Sequence, residues 1–259
     1  MCKEYAIFVV LILFAAAAGA QTPRAGVEEH EALKKASVGG EAAWAVAQLG
    51  GLSPDAIRGR LRQMRLPEYA PDPRLARRMI AAQRMGVVED ERVAQLRIAL
   101  QPVLAYHDRS RMAIVVLRSD EPKAYLIDRA MIVITLRLMV LASEEEIRGI
   151  VAHELAHEYI WEELPRAREA KNWRRMREGE LFCDAVAAFT LKEIGDDPAS
   201  YRRILQRITI IGSATGSTTS RETGTHPSLF ARRQFNRFLC RQFGAIERGD
   251  ERAMAGRPF

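Results

Sequence analysis

The apolar positions of the chain change period several times, and each change predicts an element. The first run, Ala6 to Ala18, is continuous rather than periodic and ends in Ala18-Gly19-Ala20. With Lys3 ahead of it, residues 1–20 have the charged start, apolar middle and small-residue end of a secretory signal peptide. The run is short for a bilayer crossing, which takes about 20 residues. Kept uncleaved, it would act as a tether. Gln21 to Gly40 is polar and Gly-punctuated and reads as a linker. Glu41 to Met64 has helical spacing, broken by Gly50-Gly51 and by Ser53-Pro54. Three prolines between Leu66 and Pro73 mark a boundary. Residues 21–66 are therefore expected to form a linker and helical extension, 67–243 the main domain, and 244–259 a C-terminal tail.

From Arg74 to Asp108 the spacing predicts two helices hinged near Gly86-Val87-Val88. Leu75, Met79, Ile80, Val93, Leu96, Leu100 and Leu104 form their apolar stripes. His107 has no metal-ligand neighbour in sequence and is expected at the surface or at a helix end. The period then shortens. Arg111–Arg118 reads as a strand, Ser119–Pro122 as a turn, and Lys123–Ile127 and Ala130–Leu136 as two more short strands. The pattern does not distinguish an edge strand from a central one. Ser143 to Leu164 is again helical. Ser143 and Glu146 have capping-box spacing, Glu144, Glu145 and Glu146 suit the N-terminal dipole end, and Pro165 is expected to stop the helix. Its apolar residues, Ile147, Ile150, Val151, Leu155, Tyr159, Ile160 and Trp161, leave few polar faces, so burial is expected. A second apolar helix spans about Arg174 to Ile194 and ends at Gly195. Ser213–Thr225 is a polar, Gly-rich loop with the character of a mobile flap, and a final helix runs to about Phe243. The expected fold is α+β, mostly α, with a small sheet packed beside the 143–164 helix.

Composition narrows the class without redirecting it. The chain is 48% apolar and 28% charged, as a globular protein is, and its net charge is +6. Arginines are scattered along helical stretches rather than gathered in an aromatic-laced patch, which argues for a solvated basic surface and against nucleic acid as partner. After the leader no segment is long enough to span a bilayer, since Ala130–Ala142 is short and carries Arg137. A periplasmic or secreted protein is expected, or one tethered by an uncleaved leader. Beyond the leader, Cys183 and Cys240 would be either a disulfide or two buried thiols.

The chemistry is concentrated in His153-Glu154-Leu155-Ala156-His157. Residues four apart on a helix lie one turn apart on the same face, so two imidazoles can aim at one ion. A catalytic zinc takes three protein ligands and keeps an open position for water. Glu154, next to the first histidine, can reach that water as general base. The best third ligand is Glu180, on the second apolar helix, with Asp184 one turn later to accept the free N–H of a ligand histidine. Glu158, Glu162 and Glu163 ride the first helix and cannot readily bend back, and Ile160 and Glu163 exclude the three-histidine pattern. His226, at the end of the polar loop, could donate to a developing oxyanion or join the metal at rest.

With these residues assembled, the chain resembles the gluzincin metallopeptidases of the HtpX, Oma and CaaX-prenyl-protease type, from about Leu66 to Cys240. The resemblance rests on Asp120-Glu121-Pro122-Lys123-Ala124-Tyr125, on Met131-Ile132-Val133-Ile134-Thr135 and on Ser143-Glu144-Glu145-Glu146. It continues through His153–His157, Glu180 with Asp184, and Thr225-His226-Pro227-Ser228 with Arg232. It implies a zincin-like metallopeptidase with one Zn2+ on His153, His157 and Glu180, Glu154 as base, and His226 and Arg232 as transition-state or site-organising groups. Protein or peptide substrates follow. Cys183 stands where the family usually has Ala, and Lys123 where it has Asn. The membrane helices of the prenyl-protease branch are absent, which favours the soluble, exported branch. Thermolysin-like gluzincins are the near alternative. A non-catalytic cell-envelope assembly factor or holdase with a structural zinc is the alternative of a different class.

Overall fold

The computed structural model describes residues 40–64, 66, 78, 81, 86–127, 129, 131–215 and 226–243. The expected leader (1–20) and linker to residue 39, most of 65–85, residues 216–225 within the expected polar loop, and the expected tail 244–259 lie outside the described residues. The elements in chain order are α1 (Gly40–Gln48), α2 (Pro54–Gln63), β1 (Val87–Val88), α3 (Glu91–Ala99), α4 (Gln101–Tyr106), β2 (Ala113–Leu117), β3 (Ala124–Ile127) and β4 (Met131–Thr135). After them come α5 (Leu136–Leu141), α6 (Glu144–Ala156), a 3-10 turn (His157–Ile160), α7 (Glu163–Glu169), α8 (Trp173–Glu193), α9 (Ala199–Thr215) and α10 (Leu229–Gln242). The fold is α+β and mostly helical, with one mixed four-stranded sheet in the order β1-β2-β4-β3.

The sheet is small because its strands are short, and one edge lies at the site. β2 and β4 pair in parallel, with Val115 opposite Val133, and β4 is buried along its whole length. β3 pairs antiparallel with β4 alone, so its outer edge is unpaired by any described strand. That edge faces α6, and the Leu126 N–H donates to the Glu154 carboxylate. Of the three sequence-predicted strands all form; the fourth, β1, occupies the Val87–Val88 stretch that the spacing marked as a hinge. Two residues are too few for a period of two to register.

The capping box at the start of α6 is present: Glu146 N–H donates to Ser143 Oγ at 3.3 Å, and Ser143 N–H donates to the Glu146 carboxylate at 2.8 Å. The expected single helix over 143–164 is instead divided. α6 ends at Ala156, the chain tightens into the 3-10 turn, and Pro165 sits in the first turn of α7 rather than ending a helix. A proline in a first helical turn gives up an N–H that has no intrahelical acceptor anyway.

α8 is the central helix. It is apolar nearly all round and buried from Leu181 to Leu191. Ala185, Val186, Ala188 and Phe189 join one apolar cluster with α1, α2 and α10; Ala187 and Leu191 join a second with the sheet, α3, α4, α6 and α9. Gly195, at φ +86°, turns the chain after α8 in the left-handed region that only glycine enters cheaply. α6 is pinned to its neighbours by charge as well as by packing. Arg207 of α9 bonds both oxygens of Glu146 at 3.0 Å, and Arg148 bonds Asp196 at 2.9 Å. No helix among the described residues is long and apolar enough to cross a membrane.

Candidate metal centre

Three elements deliver the site. α6 and its 3-10 extension carry His153, Glu154 and His157, α8 carries Glu180, Cys183 and Asp184, and α10 carries Arg232 just after His226. The backbone at His157 keeps helical angles although the ladder tightens there, so the two imidazoles still share one face, with ring centroids 5.1 Å apart. Ligand atoms of His153, Glu154 and His157 lie within 4.8 Å of one another. A Glu180 oxygen lies 3.6 Å from His153 Nε2, and its other oxygen lies 3.9 Å from His157 Nε2. His226 Nε2 is 3.8 Å from the same carboxylate, on a side chain 55% exposed.

A tetrahedral zinc holds its nitrogen and oxygen donors about 3.3 Å apart. The observed separations are a few tenths longer, a difference that small rotations close. Donor chemistry fits as well, because both Nδ1 atoms are engaged on the far side of their rings. His153 Nδ1 lies 2.7 Å from the Tyr201 hydroxyl oxygen and 3.0 Å from Asp184 Oδ1. Tyr201 donates its own proton to Asp184 at 2.7 Å, so both neighbours accept and Nδ1 carries the hydrogen. Nε2 then keeps its lone pair for a metal. His157 Nδ1 meets the Cys183 thiol at 3.3 Å.

Asp184 is fully buried and fully engaged. Arg232 Nε donates to it at 2.9 Å, Asn236 Nδ2 at 3.2 Å, and Tyr201 and His153 complete its contacts. Burial alone would favour the neutral acid, but Arg232 and His153 hold its carboxyl well below the usual range. Glu180 is likewise depressed, since the three surrounding imidazoles outweigh the burial that raises it. For His153, burial opposes the charged form, and the hydrogen bonds and charges of Asp184 and Glu180 overcome it, lifting the imidazole to about 9, so a metal at Nε2 would displace the proton that these two acids favour there. His157 lies lower, at about 4, through burial and the charge of His153. Burial, with Glu180 nearby, raises Glu154 to about 7.

The structure thus brings His153, Glu154, His157, Glu180, Asp184, His226 and Arg232 to one place. It puts the Arg232 guanidinium on Asp184 and on the Tyr201 hydroxyl rather than beside the imidazole pair. Glu158, set aside as a ligand on geometry, is buried against Arg109 at 2.6 Å. His107 is corrected: it ends α4 but is buried, bonded to Tyr159 at 2.9 Å and to Thr190 at 3.1 Å. Cys183 and Cys240 are both buried free thiols. Tyr201 and Asn236 were not anticipated. The available signal was periodic: Tyr201, Ile204, Leu205 and Ile208 mark the inner face of α9, and Asn236 follows Arg232 by one turn.

Residues 90–160 match the model of Peptidase family M48. The match spans α3, the sheet β2–β4 and the whole histidine motif, and it supports a gluzincin metallopeptidase of that family. It ends before Glu180. No curated protein matches the chain.

Proposed function

We propose that this chain is a zinc-dependent endopeptidase that hydrolyses protein or peptide substrates outside the cytoplasm. The observation that carries the reading is the approach of one Glu180 carboxylate to both motif imidazoles, at 3.6 and 3.9 Å, with Glu154 alongside. His153, His157 and Glu180 would hold the ion. A bound zinc would polarise the scissile carbonyl and lower the pKa of the attacking water toward about 7. Glu154 accepts the water's proton on its carboxylate and returns it to the leaving amine. The unpaired edge of β3 pairs with an extended substrate and holds it next to Glu154, whose carboxylate already meets the edge N–H of Leu126. His226, exposed at the rim, donates to the developing oxyanion. Arg232 acts through Asp184 and Tyr201, holding His153 in its metal-binding tautomer. Location outside the cytoplasm rests on the leader at residues 1–20.

Glu154→Gln tests the reading. The variant should bind one zinc per chain like the parent, measured by elemental analysis, and lose casein hydrolysis by at least about a thousandfold. Undiminished hydrolysis by the variant, or a chelator-insensitive parent, would remove the peptidase assignment and leave a structural metal in its place.

A further inference from the structure

The two motif imidazoles are not held alike. His153 Nδ1 faces the Tyr201 oxygen at 2.7 Å and Asp184 Oδ1 at 3.0 Å. Tyr201 gives its own proton to Asp184, so neither neighbour donates and the hydrogen on Nδ1 is fixed. His157 Nδ1 faces the Cys183 thiol at 3.3 Å instead. Among the described residues no other group hydrogen-bonds that nitrogen or that sulfur.

The contact is set by the helices. Cys183 follows Glu180 by three residues on α8, which packs against α6 and the 3-10 turn. The helix that presents the third ligand to the site therefore also presents a sulfur to the second. Cys183 has no solvent exposure and lies in an apolar cluster with Phe182 and Val186. Burial there keeps it a neutral thiol. A neutral thiol is a weak donor and a weak acceptor at once.

That double capacity matters because a metal changes where His157 carries its hydrogen. Without an ion, Nε2 looks toward the Glu180 carboxylate at 3.9 Å, and the charge there favours a hydrogen on Nε2. Nδ1 is then a lone pair and needs a donor. With an ion on Nε2, the hydrogen sits on Nδ1 and needs an acceptor. A carboxylate at this place would serve only the second state, and an alanine neither.

We propose that Cys183 is a positioning residue that holds the His157 ring in both states. Its thiol donates to Nδ1 in the metal-free protein and accepts the Nδ1 hydrogen when Nε2 is on zinc. The proposal rests on the zinc site of the reading above, and its two measurements do not use turnover.

Long-range 15N–1H NMR of the histidine-labelled protein reads the tautomer and needs no variant. The His157 hydrogen should be on Nε2 without metal and on Nδ1 with zinc bound, while His153 keeps its Nδ1 hydrogen throughout. Competition with a chromophoric chelator reads affinity. Cys183→Ala should weaken zinc about tenfold, the low end for loss of such a partner, because bonds to sulfur are weak. Cys183→Ser, whose hydroxyl also donates and accepts, should stay within about threefold of the parent. Cys240→Ala removes the other buried thiol, on α10, and controls for lost volume; it should bind zinc like the parent. Unchanged affinity in Cys183→Ala, an equal loss in Cys240→Ala, or a metal-free His157 with its hydrogen on Nδ1 overturns the role. A parent that takes up no zinc removes the metal site and this role together. Zinc uptake and casein hydrolysis that Cys183→Ala leaves unchanged remove only the role. A zinc-binding parent that cuts nothing, while Cys183→Ala still loses affinity, removes only the peptidase.

Discussion

A carboxylate with no solvent exposure, such as that of Asp184, is tolerable only when charge and lone pairs are met from every side. Here the partners differ in kind. Arg232 supplies charge, Asn236 and Tyr201 supply hydrogen bonds, and His153 receives the benefit as a fixed tautomer. The two simplest substitutions should therefore separate. Asp184→Asn leaves the half-buried Arg232 guanidinium uncompensated and should cost up to about 3–5 kcal/mol in urea unfolding. Tyr201→Phe removes one hydroxyl and should cost about 1–2 kcal/mol. Both should weaken zinc in a chelator competition, Asp184→Asn by about 10- to 100-fold and Tyr201→Phe by about tenfold or less. Equal zinc affinity in all three proteins would show that the orientation of His153 does not depend on this network. The pair Glu180 and Asp184 was legible in the sequence because four residues on one helix is a fixed geometry. Cys183 at His157, Tyr201 and Asn236 were not, because their contacts cross between elements 26 to 52 residues apart and leave no local spacing to read.

At the scale of elements, the packing of α6 is decided by what its small residues admit. A Cβ at Gly149 would lie 2.9 Å from Tyr201 Cβ and 3.2 Å from Tyr201 Cα, so α9 itself must move. A Cβ at Gly179, on α8, would come closer still, 2.6 Å from Leu164 Cδ2, but that atom ends a flexible side chain. Gly149→Ala should thus destabilise the fold by about 1–3 kcal/mol and disturb the Tyr201 contact with His153, whereas Gly179→Ala is relieved by a rotation of Leu164. Thermal unfolding and zinc titration of the two variants check the order; a larger loss for Gly179→Ala would mean that Leu164 is held as firmly as the α9 backbone. Elements with many residues in one period were readable: three strands, α8 with its glycine stop, and the capped start of α6. The failures were local. Val87–Val88 is too short to alternate, and Pro165 looks like a terminator only if the first turn of a new helix is not considered.

Across the whole molecule, His107 stands where the two apolar clusters meet. Its own helix supplies Val103 and Leu104 to the cluster around the sheet, while Tyr106 and Tyr159 pack against the cluster around α1 and α10. Each ring nitrogen faces a hydroxyl, of Tyr159 or of Thr190, and a hydroxyl can serve a neutral ring as donor or as acceptor. Charge is refused there. Burial, aided by Arg109, lowers the imidazole from 6.5 to about 3. The unfolded chain takes a proton on this residue below about pH 6.5 and the folded chain does not, so stability falls as pH drops, by up to about 1.4 kcal/mol per unit from this group. A sequence reading places such a histidine at the surface or at a helix end; it does end α4, but nothing near it in the chain announces its burial or the two hydroxyls, 52 and 83 residues away. His107→Gln keeps a polar group toward both hydroxyls but cannot titrate. It should be less stable than the parent at pH 7.5 and lose stability more slowly from pH 6 to 4.5, so that the two curves converge on acidification. Urea unfolding at four pH values measures this, and taking the difference between the proteins cancels the titration of Asp184, Glu180 and the other shared groups. Parallel curves would mean that the folded chain accepts a proton at His107 as readily as the unfolded one, and that the seam between the clusters is open to water.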